Sequence, residues 1–268
     1  MEPDEPTLIR GPTIWHPPFY ELISERAPPT TEVRTEIELS KRSQRADLLL
    51  LRRKGSTPRD HEAGVLRGLW PRLSRVALAE FKGPSAGFRR GDLLTLFGYG
   101  VQYHRHALMD TVAHTSDLTL VLITPAETQP LRAAVERLRG CRLEHLGGGY
   151  ARIVGAWYDI IVAFTDAVCE AERDDYLRLF SRLRAQNRDA LQWMNKYYKR
   201  ITKMGQAHEL EGYDEMTERL LEAFTPEQRM RGLTLEQRLA SVSSEELAGL
   251  SPEERAIMRK LLDQAKSR

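Results

Sequence analysis

The chain has 268 residues, of which 41% are hydrophobic, and its 40 Lys and Arg nearly balance 38 Asp and Glu, so it can bury a sizeable core and its overall charge points to no partner class. Two cysteines, Cys141 and Cys169, stand in no ligand spacing, which excludes a disulfide framework and a thiolate zinc site and suits a reducing cytosol. The acidic, Pro-rich start lacks the basic and apolar regions of a secretory signal, and no apolar run approaches the roughly 20 residues of a membrane span, so a soluble intracellular protein is expected.

Residues 1–17 contain four prolines and read as an irregular lead-in. Helical spacing of Phe19, Leu22 and Ile23 predicts a short helix to Arg26, stopped by Pro28-Pro29. Val33, Thr35, Ile37 and Leu39 then alternate with charged residues, the pattern of a half-buried, edge-like strand. The run Ala46 to Leu51 is apolar on both faces and reads as a central strand. A long glycine- and proline-containing loop, with a helical turn expected over residues 62–69, leads to a strand at Val76 to Phe81. After a break at Gly83 to Gly91, Asp92 is placed to cap a helix running to Leu108, within which Gly98 and Gly100 are expected to permit close packing.

A strand at Leu118 to Thr124, a helix at Pro130 to Arg139, and strands at Tyr150 to Val154 and Tyr158 to Phe164 follow. Gly147-Gly148-Gly149 reads as a hairpin turn. The alternation of elements predicts an α/β fold with a mixed sheet and helices on its faces. Beyond residue 169 the chain turns helical, with one long helix or two joined ones over Asp175 to Lys203. Capping-box spacings then recur at Thr225, Thr234, Ser243 and Ser251 and predict a series of short helices. The expected division is a lead-in at 1–17, an α/β domain at 18–168 and a helical region at 169–268.

The chemistry is concentrated in Glu80-Phe81-Lys82. Side chains alternate along a strand, so Glu80 and Lys82 share a face and Phe81 points away. Asp47, in an otherwise apolar strand, needs a partner, because burying an unpaired charge costs several kcal/mol. Two carboxylates around a divalent cation with an ammonium beside them form a site suited to phosphodiester hydrolysis. The stretch from Arg34 to His106 holds 15 Lys and Arg against 7 Asp and Glu, about +8, while the remainder carries about −6; a polyanion would be drawn to it. Arg52, Arg53, Lys54, Arg89 and Arg90 are expected in loops beside the site as phosphate contacts. The spacing of His104 and His106 turns their imidazoles apart on a helix and argues against a zinc site. Trp193, Tyr197 and Tyr198 read as a helix seam more simply than as a base-stacking surface.

The ordered set of Asp47 on one strand, Glu80-x-Lys82 on the next and a helix afterwards resembles the PD-(D/E)XK nuclease superfamily. The phrases RADLLLL, ALAEFKGPS and GDLLTLFGYGVQY are similar to its bacterial recombination-promoting nuclease and transposase-like branch, and TLEQRLASVSSEELAGLSPEERAIMRKLL is similar to tails found there. The resemblance covers roughly residues 15–165. It departs from the usual pattern at Ala46, which stands where a proline precedes the aspartate, and in the long separation of Asp47 from Glu80.

The resemblance implies a restriction-endonuclease-like αβββαβ core and a bacterial, cytoplasmic DNA endonuclease linked to recombination or mobile elements. Asp47, Glu80 and the Phe81 carbonyl would hold Mg2+, with Mn2+ as substitute, and Lys82 would orient the attacking water, its pKa kept from rising by the metal. Gln102 would support a ligand or contact DNA, and Glu21 or Glu25 on the first helix would support the metal. Dimers would supply two sites for two strands. The alternative is a nuclease-derived protein that holds nucleic acid, or assembles through its tail, without cutting.

Overall fold

A computed structural model describes residues 13–38, 45–52, 64–85, 87–107, 114–202, 210–223 and 251. The chain divides into two compact units, Met1–Leu220 and Leu221–Arg268. The first unit is α/β, built on a seven-stranded mixed sheet. No described helix is long and apolar enough to cross a membrane. The recurrent capping boxes from Thr225 onward lie outside the described residues, apart from Ser251.

Helix α1 spans His16–Arg26. It begins inside the stretch expected to be irregular, because Pro17 and Pro18 occupy its first turn, where a missing N–H costs nothing and the fixed φ is already helical. The end is set by Ala27, whose N–H reaches Ile23 O at 2.8 Å before Pro28-Pro29. Strands β1 (Thr31–Glu38), β2 (Arg45–Arg52) and β3 (Val76–Phe81) follow, successive neighbours pairing antiparallel. Helix α2 covers Asp92–Ala107 and leads to β4 (Leu118–Thr124), which pairs parallel with β3. Both β3 and β4 are buried at every position, as expected of strands covered on two faces.

Helix α3 (Gln129–Arg137) is capped by Thr128 and precedes three further strands, β5 (Arg142–Gly147), β6 (Tyr150–Val154) and β7 (Asp159–Phe164). The sheet order is β1-β2-β3-β4-β7-β6-β5, with β7 parallel to β4. Strand β1 therefore lies at an edge, as its alternation predicted, and β2 lies inside. Strand β5, the other edge, was not anticipated. Its side chains are mostly exposed, so it carries little of the apolar signal by which strands are read.

The turn between β5 and β6 is the expected glycine hairpin. Gly149 has φ +86°, and a Cβ there would stand 2.4 Å from Val168 N, so only glycine fits. In α2 the two glycines differ. Gly100 lies where a Cβ would meet Leu120 at 3.0 Å, whereas nothing lies within 4 Å of one at Gly98; the close-packing role expected of both belongs to Gly100.

Each face of the sheet has its own core. Leu78, Leu93, Leu96, Leu120, Leu122 and Leu131 lie in the cluster that joins β3 and β4 to α2 and α3. On the other face Phe81 stacks on Phe19 of α1 with centroids 3.8 Å apart, and Phe180 meets both rings edge-on. Phe180 sits in the break between helices that sequence periodicity had joined. After α4 (Thr165–Ala171), α5 covers only Asp175–Arg178, and α6 starts at Arg188 and ends at Thr202. Asn187 caps α6, its Oδ1 accepting from Asp189 N and Ala190 N at 2.8 and 3.1 Å, so residues 179–187 are free to turn Phe180 inward. Helix α7 (Tyr213–Ala223) follows.

The stacked pair makes a direct test of this packing. Phe19→Ala should lower the free energy of unfolding by about 3–5 kcal/mol, read by urea denaturation; a loss below about 1 kcal/mol would show that the Phe19–Phe81 contact does not hold α1 to the sheet.

Candidate active site

Strand register brings the two predicted carboxylates together. Leu48 lies opposite Ala79, and one further step sets Asp47 opposite Glu80, a position from which cross-strand side chains share a face. The Asp47 charge acts strongly enough on Glu80 to raise its pKa. Lys82, two residues on, places Nζ 3.0 Å from Glu80 Oε1. The three residues read from the sequence therefore converge.

Asp47 is held on both oxygens. Its Oδ2 accepts from Phe81 N at 2.7 Å and its Oδ1 from the Tyr20 hydroxyl at 2.9 Å. His16, also on α1, has Nδ1 3.9 Å from Asp47 Oδ1, and its Nε2 donates to Phe81 O at 3.1 Å. One lone pair of the carbonyl expected as a ligand thus faces an imidazole, and a carbonyl oxygen has two. The partners from α1 are therefore His16 and Tyr20. Glu25 accepts from Trp193 Nε1 at 3.0 Å.

A fourth residue joins from α2. Asp92 lies in the first turn of that helix and is not its cap; Oδ1 stands 3.2 Å from Lys82 Nζ, and Oδ2 accepts from Arg89 N at 2.7 Å. The side chains of Lys82, Glu80 and Asp92 are only 13%, 10% and 20% exposed. Tyr99, on the same helix, has its phenol pushed up by burial and by the charges of Glu80, Asp47 and Asp92. The gathering of His16, Tyr20, Asp92 and Tyr99 is tertiary; the sequence signal nearest to it was the His16-Pro17-Pro18 helix start.

Burial, then the Asp47 charge, pushes Glu80 up to about 7 against the opposing pull of Lys82 and His16. Lys82 is also raised: burial would lower it, but Glu80 and Asp92 together outweigh that. The two shifts differ in origin: burial leads for Glu80, and the neighbouring carboxylates Glu80 and Asp92 raise Lys82. Glu80 Oε2 is buried and has no hydrogen-bond partner among the described residues.

The proposed phosphate contacts divide. Arg89 and Arg90 are exposed in the turn before α2, next to Asp92. Arg52 ends β2 five residues beyond Asp47, about 17 Å along an extended strand, so it lies at the opposite end of the sheet from the site it was expected to flank. Arg53 and Lys54 lie outside the described residues. Gln102 is half-buried on α2. His104 Nδ1 stands 3.4 Å from the Tyr158 hydroxyl.

The donor set suits a hard cation. Asp47, Glu80 and the Phe81 carbonyl offer oxygens, and Mg2+ is commonly held by one or two carboxylates with water completing its shell. Among the described residues no group of three or more His, Cys, Asp or Glu side chains is placed to hold a metal ion. Comparison with protein-family profiles, curated proteins and solved structures gives no match.

The Glu80 shift has a defined sign. A carboxyl whose pKa rises from 4.5 to about 7 on folding contributes stability fully below pH 4.5 and loses it as pH rises through 7. Glu80→Gln, which keeps a neutral side chain, should therefore raise Tm relative to wild type at pH 8 without divalent ions, and the gain should disappear near pH 4.5. A gain that is equal at both pH values would contradict the shift.

Proposed function

We propose that this chain is a Mg2+-dependent DNA endonuclease of the PD-(D/E)XK type, with a restriction-endonuclease-like core. The observation that carries the reading is the placement of Asp47 opposite Glu80 with the Lys82 ammonium 3.0 Å from the latter. The element order α1-β1-β2-β3-α2-β4, with β4 parallel to β3, supports it, being the order the resemblance implies.

Asp47 and Glu80, with the Phe81 carbonyl, would hold the cation. Bound there, a divalent ion supplies Lewis-acid polarisation of the phosphate and a nucleophilic water at neutral pH. The protein's own contribution is positional. Tyr20 and the Phe81 N–H fix the Asp47 carboxylate, so its oxygens need no rotamer search when they bind. Lys82 offers ammonium protons to a non-bridging phosphate oxygen, where negative charge grows during the displacement. Burial of the cluster strengthens each of these interactions relative to water. Arg89 and Arg90, exposed beside the entrance of α2, would meet the flanking phosphates. Mn2+ would substitute for Mg2+ in such an oxygen site, and cutting both strands of a duplex would call on two copies of the chain.

A supercoiled-plasmid assay tests the reading. Wild-type protein should nick with Mg2+ and stop with EDTA, and Asp47→Ala and Lys82→Ala should each lower the rate by about 100-fold or more. Equal nicking by all three would remove the site from the chemistry, whereas DNA binding without nicking would favour a catalytically silent nucleic-acid-binding protein.

A further inference from the structure

Lys82 is bound to two carboxylates, and only one of them belongs to the proposed metal site. Glu80 Oε1 lies 3.0 Å from Nζ on the strand side, and Asp92 Oδ1 lies 3.2 Å from it on the helix side. Asp92 itself is fixed by the Arg89 N–H on its other oxygen, at 2.7 Å. Its oxygens therefore have separate tasks, one closing the turn before α2 and one facing the ammonium.

We infer that Asp92 is a positioning residue for Lys82: it holds the ammonium over the site when Glu80 turns its oxygens to a cation. This inference rests on the nuclease reading. Without Asp92, recruitment of Glu80 to a metal would leave a buried ammonium with no fixed partner, and a four-carbon side chain has ample rotamer freedom to leave. With Asp92, the cation and the ammonium share the site, because Lys82 keeps one carboxylate of its own. Displacement of a catalytic group by about 1 Å is enough to cost on the order of 100-fold in rate.

Asp92→Asn separates the two tasks, since an amide oxygen can still accept from the Arg89 N–H while the charge facing Lys82 is gone. On supercoiled plasmid the variant should lose about 100-fold in kcat, with KM and Mn2+ affinity within about twofold of wild type, and Asp92→Glu should regain part of the loss. A wild-type enzyme that cuts and an Asp92→Asn variant that cuts equally would overturn the inference and leave the nuclease reading standing. A second readout needs no activity. In protein labelled with 15N-lysine, the Lys82 ammonium should exchange its protons more slowly than exposed lysines, and Asp92→Asn should weaken that protection, leaving only the Glu80 contact at 3.0 Å. Fast exchange in the wild type, or protection unchanged in the variant, overturns the tether whether or not the protein cuts DNA.

Discussion

The end of β3 divides three consecutive residues between two environments. Phe81 is locked into the aromatic cluster with Phe19 and Phe180, while Glu80 and Lys82 emerge on the opposite face, beneath the start of α2. Because side chains on a strand alternate strictly, the ring fixes the register of both charged groups. A slip of one residue would drive Glu80 into the aromatic cluster and Phe81 into the charged site. The packing energy of one face thus holds the chemistry of the other in place, and α1 serves both, through Phe19 in the core and through Tyr20 and His16 at Asp47.

The second constraint is electrostatic. Asp47 acts on Glu80, and Glu80 and Asp92 on Lys82, so the buried cluster holds more carboxylates than ammonium groups. Burial makes that state costly, and the protein has two ways to relieve it. One is protonation, seen in the upward displacement of Glu80 to about 7. The other would be a divalent cation at the proposed metal site. Such a cation would couple its uptake to proton release, since the carboxyl must ionise to act as a ligand.

The α/β class with its mixed sheet and the convergence of Asp47, Glu80 and Lys82 were legible in the sequence because both rest on period-two alternation in apolar strands. The start of α2 at Asp92 was legible as well, yet the pairing of Asp92 with Lys82 was not, since it depends on how the turn at Gly83 to Gly91 returns the chain. His16 was missed for a different reason: proline density suggested irregular chain, although Pro17 and Pro18 at the start of a helix are a helix signal. The assignment of Arg52 to the site failed on length. In a strand of eight residues Arg52 and Asp47 stand five residues apart, about 17 Å along the extended chain, and closeness in sequence put them wrongly together. Strand β5 and the break around Phe180 escaped because an exposed edge strand lacks apolar periodicity and an inward-turning loop carries the apolar residues of a helix.

The central claim is that Asp47 and Glu80 share one divalent ion beside Lys82. Anomalous diffraction from crystals of the full chain soaked in Mn2+ tests it most directly. The account predicts a single strong peak between the two carboxylates, roughly 2.0 to 2.2 Å from an oxygen of each, with the Lys82 ammonium still against Asp92. No peak at that position, or one ligated without Asp47 or Glu80, would contradict it.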